Sequence, residues 1–264
     1  MVSVVISTYK PDLLLQVSKN IEHTIGVAYE IIAIENEARF SISEAYNRGV
    51  EKAIYPFLCF VHEDVLFQTN HWGEHLVKIM TDDKKVGLIG VAGTKFKSSY
   101  PSAWGQSPFL SQYRCGQIIQ RYKNNEEKYI DFKESSKLNE TEEVMCVDGV
   151  FLFTKKEIFE KCRFDSCMLT GFHGYDIDFS LQVHFQSYKV IVSRTLLLLH
   201  FSAGNYTREN TIANRKIAFK WRKKLPAATV DTHLSTLQII KTDIVNWIYF
   251  LSIALKRKLK LNQN

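Results

Sequence analysis

The sequence predicts an α/β fold: a Rossmann-like, mostly parallel central sheet flanked by helices, followed by a C-terminal helical extension. Three observations predict it. Apolar runs of strand length alternate with helix-period patterns through residues 2–91, as in successive βαβ units. The opening run Val2–Ser7 is apolar almost throughout, as a strand covered on both faces should be. At 264 residues and 45% hydrophobic content, the chain can also bury one substantial core.

The elements follow in order. After the Val2–Ser7 strand, Asp12 is placed to cap a helix reaching about Ile25, with Leu14, Val17 and Ile21 on one side. Glu30–Ile34 reads as the second strand. Ser41-Ile42-Ser43-Glu44 fits a capping box, in which the first serine and the later glutamate satisfy each other's free backbone N–H groups, and it opens a helix to about Ala53. Phe57–Val61 and Val86–Val91 read as further buried strands. Residues 93–143 are polar and aromatic and are expected to form an irregular, substrate-facing insertion. Strand character resumes over Val144–Thr154, Asp176–Gln186 is helical in pattern, and Lys189–Val192 is a last strand.

Charge divides the chain unevenly. Residues 215–264 carry 11 Lys/Arg against two Asp/Glu, leaving 23 against 26 for residues 1–214. A generally basic surface for nucleic acid is therefore not expected, and the basic end suits an anionic membrane surface. Five cysteines without a CxxC pair indicate neither a disulfide framework nor a zinc ribbon. The first residues are already strand-like rather than of secretory type, so a cytoplasmic location is expected. The sequons at Asn139 and Asn205 would matter only outside the cytoplasm.

Open α/β sheets bind ligands at the carboxyl ends of their strands. There the sequence places Thr8-Tyr9, Glu35-Asn36 and Glu63-Asp64, so these groups are expected in one crevice. The first turn, Ser7-Thr8-Tyr9-Lys10-Pro11, has no glycine, which excludes a dinucleotide fingerprint and a P-loop. His62-Glu63-Asp64 lies between Phe57–Val61 and Val65-Leu66-Phe67, flanked by core on both sides. Carboxylates so placed can hold Mg²⁺ or Mn²⁺ while a diphosphate supplies further ligands.

With Val147-Asp148-Gly149-Val150-Phe151-Leu152 and Gly171-Phe172-His173-Gly174-Tyr175-Asp176-Ile177-Asp178 added, the chain resembles the family 2 glycosyltransferases of the GT-A fold. The likeness runs in order from Val2 to His200. It implies a GT-A catalytic domain over residues 1–214 with the acceptor region at 93–143, and the basic residues 215–264 are expected to form a helical C-terminal extension to it. It implies transfer of a sugar from a nucleoside diphosphate sugar such as a UDP-sugar to an acceptor hydroxyl, with inversion. The acceptor would be a saccharide or a lipid-linked one, in cell-surface polysaccharide or glycolipid assembly.

The resemblance also assigns residues. Asp64, with His200 and His62, would hold the divalent metal, His62 standing where the family has a carboxylate. Thr8, Tyr9, Glu35, Asn36, Asn47, Glu63, Asp64, Asp148 and Gly149 would bind the nucleotide sugar. Asp176 aligns with the second acid of the family's paired acids and is the implied general base, while Tyr175 replaces the first. Plainer alternatives stand beside these roles: Asp176 as a helix N-cap, His200 as a structural hydrogen-bonder, Tyr9 and Trp104 as ordinary aromatics, Asp178 as a cap or ion-pair partner, His173 as a rival ligand. A catalytically silent binding subunit and a sugar-nucleotide nucleotidyltransferase are the rival functions.

Ile244–Leu255 is apolar almost without interruption and precedes Lys256-Arg257-Lys258-Leu259-Lys260. It is too short to span a bilayer, which takes about 20 residues. An interfacial helix over residues 240–260 is expected, against packing on the domain or on another copy in a homo-oligomer.

Overall fold

The computed structural model describes residues 1–37, 39–122, 124–132, 140–201 and 207–261, the side chains of 257–261 excepted. Asn139 and Asn205 of the sequons lie outside this description. The chain opens with β1 (Val2–Thr8), α1 (Pro11–Thr24), β2 (Tyr29–Glu35), α2 (Ile42–Lys52) and β3 (Phe57–His62). β1 lies between β2 and β3 and is parallel to both. Its alternate residues serve different cores: Val4 and Ile6 pack on one face of the sheet, Val5 on the other. Burying side chains of this size contributes about 1.5–3 kcal/mol each, so the all-apolar pattern is what two covered faces require.

Two caps differ from expectation. Asp12 does not cap α1; Lys10 is the N-cap, without a side-chain bond, and Pro11 fills the first helical position, where an N–H has no helical partner anyway. At α2 half of the capping box forms. Ser41 Oγ accepts from the Glu44 N–H at 3.1 Å, while the Glu44 carboxylate turns to Arg48 at 2.9 Å.

β4 (Val65–Phe67), α3 (Trp72–Asp82) and β5 (Val86–Gly90) follow. α3 buries Trp72, Leu76 and Met80, one per helical turn, and Trp72 stacks on Phe67 at 4.2 Å. Residues 93–143 are not an irregular insertion. They include β6 (Ala92–Thr94), β7 (Phe96–Lys97), a 3-10 turn at Pro108–Tyr113, β8 (Arg114–Arg121), β9 (Glu127–Asp131) and β10 (Thr141–Glu143). These strands are short or only half-buried, so they lack the apolar run that marks a covered strand.

The chain continues through β11 (Cys146–Val147), β12 (Phe151–Lys155), α4 (Lys156–Phe159), α5 (Tyr175–Phe185), β13 (Lys189–Ser193), β14 (Leu198–His200), α6 (Arg208–Lys220), β15 (Ala227–Ala228) and α7 (Thr236–Leu261). The run expected over Val144–Thr154 is thus broken at Asp148-Gly149-Val150. The main sheet has the order β10-β13-β5-β12-β3-β1-β2, with β12 and β10 antiparallel to their neighbours. A second sheet runs β11-β6-β8-β14-β4, with β9 added to β8. The boundary expected between residues 214 and 215 falls inside α6. Asp178, 1% exposed on α5, accepts from Lys220 Nζ and Trp221 Nε1, each at 2.8 Å, and ties this end of α6 to the α/β body.

Candidate active site

The triplet His62-Glu63-Asp64 is where the chain leaves the main sheet and enters the second one, between β3 and β4. Strand register then supplies its neighbours. β14 pairs antiparallel with β4, placing His200 opposite Val65, and the Phe201 N–H donates to the Asp64 carbonyl at 2.9 Å. β12 pairs antiparallel with β3, and the His62 N–H donates to the Val150 carbonyl at 3.2 Å, bringing the Asp148-Gly149 turn alongside.

Each member of the triplet has its own role. Asp64 Oδ1 lies 3.6 Å from His200 Nε2 and 3.9 Å from His62 Nδ1. One ligand atom from each of the three residues falls within 4.8 Å of the others. Glu63 turns the other way. It is buried, and one carboxylate oxygen accepts from the Thr8 hydroxyl and from the N–H groups of Tyr9 (3.1 Å) and Lys10 (3.2 Å), fastening the β1–α1 loop.

Both imidazoles are oriented by outer hydrogen bonds. The single O–H of Tyr175 donates to the Gly149 carbonyl at 2.9 Å, so at 2.7 Å it accepts from His62 Nε2–H. The Nδ1 lone pair of His62 is thereby left toward Asp64. On the other side Gln120 donates through Nε2 to the His200 carbonyl at 3.0 Å and presents Oε1 to His200 Nδ1 at 3.2 Å, leaving Nε2 of that ring toward Asp64. Two lone pairs and a carboxylate oxygen converge without a proton between them when both rings are neutral. That donor set can hold a cation, and carboxylate plus imidazole fits a first-row divalent ion.

The electrostatics agree. Burial pushes His62 below its ordinary value, favouring the neutral ligand form. Burial alone would raise Asp64, but whenever the rings are protonated the hydrogen bond from His200 and the charges of His62 and His200 hold it below the usual carboxylate range, in the position a cation would otherwise take.

Asp176 behaves oppositely. The N-cap of α5 is Gly174, so Asp176 is not the cap but lies in the first turn, where its carboxylate accepts from the Gly149 N–H at 3.1 Å. Burial first, and then the nearby Asp148 carboxylate, push it up to about 7. Asp148 is held by the Val150 N–H and by Trp104 Nε1, both at 2.9 Å. Gly149 is required here, since a Cβ at this position would meet the Tyr175 hydroxyl at 2.3 Å.

Two clefts meet at the cluster, and His62, Asp64 and Phe172 line both. One, of about 500 Å³, is bounded by Tyr9, Lys10, Asn36 and Glu37; the other, of about 720 Å³, by Trp104, Tyr122, Phe132, Asp148 and Asp176. The family model described as a glycosyltransferase-like family matches residues 4–220. The chain belongs to this family. Its fold is the GT-A fold: it aligns with the crystal structure of GalNAc-T7 with UDP, GalNAc and Mn²⁺ at TM-score 0.58 and 12% identity, over 84% of this chain. The chain spans about half, 49%, of the length of that structure. A second solved structure, A197 from STIV, aligns at TM-score 0.40 and 15% identity, over 76% of this chain and 85% of that one. No curated protein matches.

Of the residues singled out from sequence, Tyr9, Asn36, Glu63, Asp64, His62, Asp148, Gly149, Asp176 and His200 line the clefts. Thr8, Glu35 and Asn47 do not line them. The Thr8 hydroxyl is engaged by Glu63, Glu35 is exposed at the end of an edge strand, and Asn47 donates to the Phe164 carbonyl at 2.9 Å. His173 lies outside the metal cluster and lines the larger cleft. Sequence reasoning missed Tyr175, Gln120 and Lys10. The first two act through pairings between distant segments; Lys10 directly follows the exposed Tyr9 and was visible as a cation at a strand end.

Proposed function

We propose that this chain transfers a sugar from a nucleoside diphosphate sugar to an acceptor hydroxyl, inverting the anomeric centre, in the cytoplasm. The observation that carries the reading is the His62–Asp64–His200 cluster at the junction of two clefts, with a proton-poised Asp176 on the wall of the larger. The smaller cleft suits the nucleotide, Tyr9 offering a face for stacking, Asn36 a shaped loop and Lys10 a cation for the phosphates. The larger suits the sugar and the acceptor, with Trp104 on its wall. A divalent cation held by Asp64, His200 and His62 would supply Lewis-acid neutralisation of charge on the departing diphosphate. Two imidazoles favour Mn²⁺ over Mg²⁺, and the fold neighbour GalNAc-T7 was crystallised with UDP and Mn²⁺.

Asp176 takes the proton of the acceptor hydroxyl. The acceptor oxygen then bonds to the anomeric carbon as the bond to the diphosphate breaks, its electron pair leaving with the phosphate oxygen. A saccharide or lipid-linked acceptor, in cell-surface polysaccharide or glycolipid assembly, is the proposed setting. Transfer and hydrolysis measured with a panel of nucleotide sugars and Mn²⁺, for the wild type, Asp64→Ala and Asp176→Asn, test this. Loss of turnover in both variants is expected; turnover untouched by either places the site elsewhere, and nucleotide-sugar binding without turnover in the wild type would indicate a silent binding subunit.

A further inference from the structure

α7 carries its side chains the wrong way round for a helix packed on a globular domain. The residues that face the body include Asp243 and Asn246, both buried. Asp243 accepts from the hydroxyls of Ser98 and Ser99 and from the Ser99 N–H at 2.9 Å, and Asn246 donates to Ser98 Oγ at 2.8 Å. Phe250 adds a ring stacked on Tyr100 at 4.2 Å. The opposite side is apolar and open: Leu237, Ile244, Ile248, Leu251 and Leu255 are each more than half exposed, with Ile240 and Val245 beside them. Helices of soluble domains place apolar residues inward and polar ones outward. A contiguous exposed apolar stripe over some five turns is a binding surface.

The charge of the helix says what binds there. α7 holds Lys241, Lys256, Arg257, Lys258 and Lys260 against the single acid Asp243, and that acid is spent inward. A second copy laid along the stripe would bring like charge to like charge. An anionic lipid surface would take the apolar side chains at the headgroup boundary and the basic residues among the headgroups. No described helix is long and apolar enough to cross a membrane, so the helix would lie in the interface.

We propose that the outward face of α7 docks this protein on an anionic membrane surface. The segment that α7 grips leads within a few residues to Ala103 and Trp104 on the wall of the larger cleft, so docking would hold that wall near the lipid.

The test uses the full chain and sedimentation with vesicles of phosphatidylcholine alone or mixed with phosphatidylglycerol. Binding to the anionic vesicles at least about tenfold stronger than to the neutral ones is expected, declining with salt. Ile248→Glu with Leu251→Glu, and separately Lys256→Glu, Arg257→Glu and Lys258→Glu together, should each weaken it by about tenfold or more. The second set keeps the question open to test if the first lowers the melting temperature. No binding to anionic vesicles, or binding unchanged in both sets, overturns the proposal. So does a wild-type dimer in ultracentrifugation that Ile248→Glu with Leu251→Glu converts to monomer, since that assigns the face to a second copy. None of these readouts requires sugar transfer, so they stand or fall apart from the proposed activity.

Discussion

Asp64 and Asp176 face the same cleft and are tuned in opposite directions. Around Asp64, two imidazoles supply positive or hydrogen-bonding partners, and the carboxyl is held low despite burial. Around Asp176, burial meets another carboxylate, Asp148, and the acid is pushed up to about 7. Pairs of titratable groups driven apart by their surroundings mark divided labour. An acid that stays anionic suits a cation; an acid near neutrality suits a proton.

The comparison can be broken first at Asp64. Asp64→Ala removes the only carboxylate of the cluster and is expected to lower kcat/KM by about a thousandfold or more, several kcal/mol of transition-state stabilisation, with loss of Mn²⁺ binding by calorimetry. Asp176→Asn should lower kcat by about 10²–10⁴ while Mn²⁺ binding persists. In the wild type, activity should rise with pH through about 7 as Asp176 ionises, and this limb should vanish in the variant.

Tyr175→Phe sharpens the other half. It leaves the ring in place but frees His62 Nε2, so Mn²⁺ affinity should fall by about 10–100-fold with the Asp176 limb retained. Asp148→Asn removes the second-ranked cause of the high Asp176 value, and the pH limb should move to lower pH. The smallest effect is on stability. Because the folded value of Asp176 lies above its unfolded value, near about 4, the stability it confers is full below that pH and lost as pH rises through about 7. Asp176→Asn cannot ionise, so its melting temperature should gain on the wild type between pH 5 and pH 8.

Much of the fold was readable along the chain. β1 and β3 are continuous apolar runs, and the strand end that delivers His62-Glu63-Asp64 follows from where such a run stops. The signal failed at Asp12, where Pro11 starts the helix by its fixed backbone angle, and at residues 93–143, where half-buried strands show no apolar run. Asp64, His62 and His200 were legible as ligand types in the right order and the family resemblance grouped them, but the strand pairing that brings them together was not legible.

What the sequence determined by itself is local: periodicity, caps, the chemistry at each strand end, and the apolar, basic character of the last helix. These depend on residues within a few positions of one another, so composition and spacing carry them. The tertiary structure alone decided which member of the triplet does what. The pairing of β14 with β4 brings His200 to Asp64 across 136 positions, and Tyr175 reaches His62 across 113. It alone decided that α7 turns Asp243 inward and leucines outward. Register and docking between distant segments are set by the whole core at once, and no window along the chain contains them.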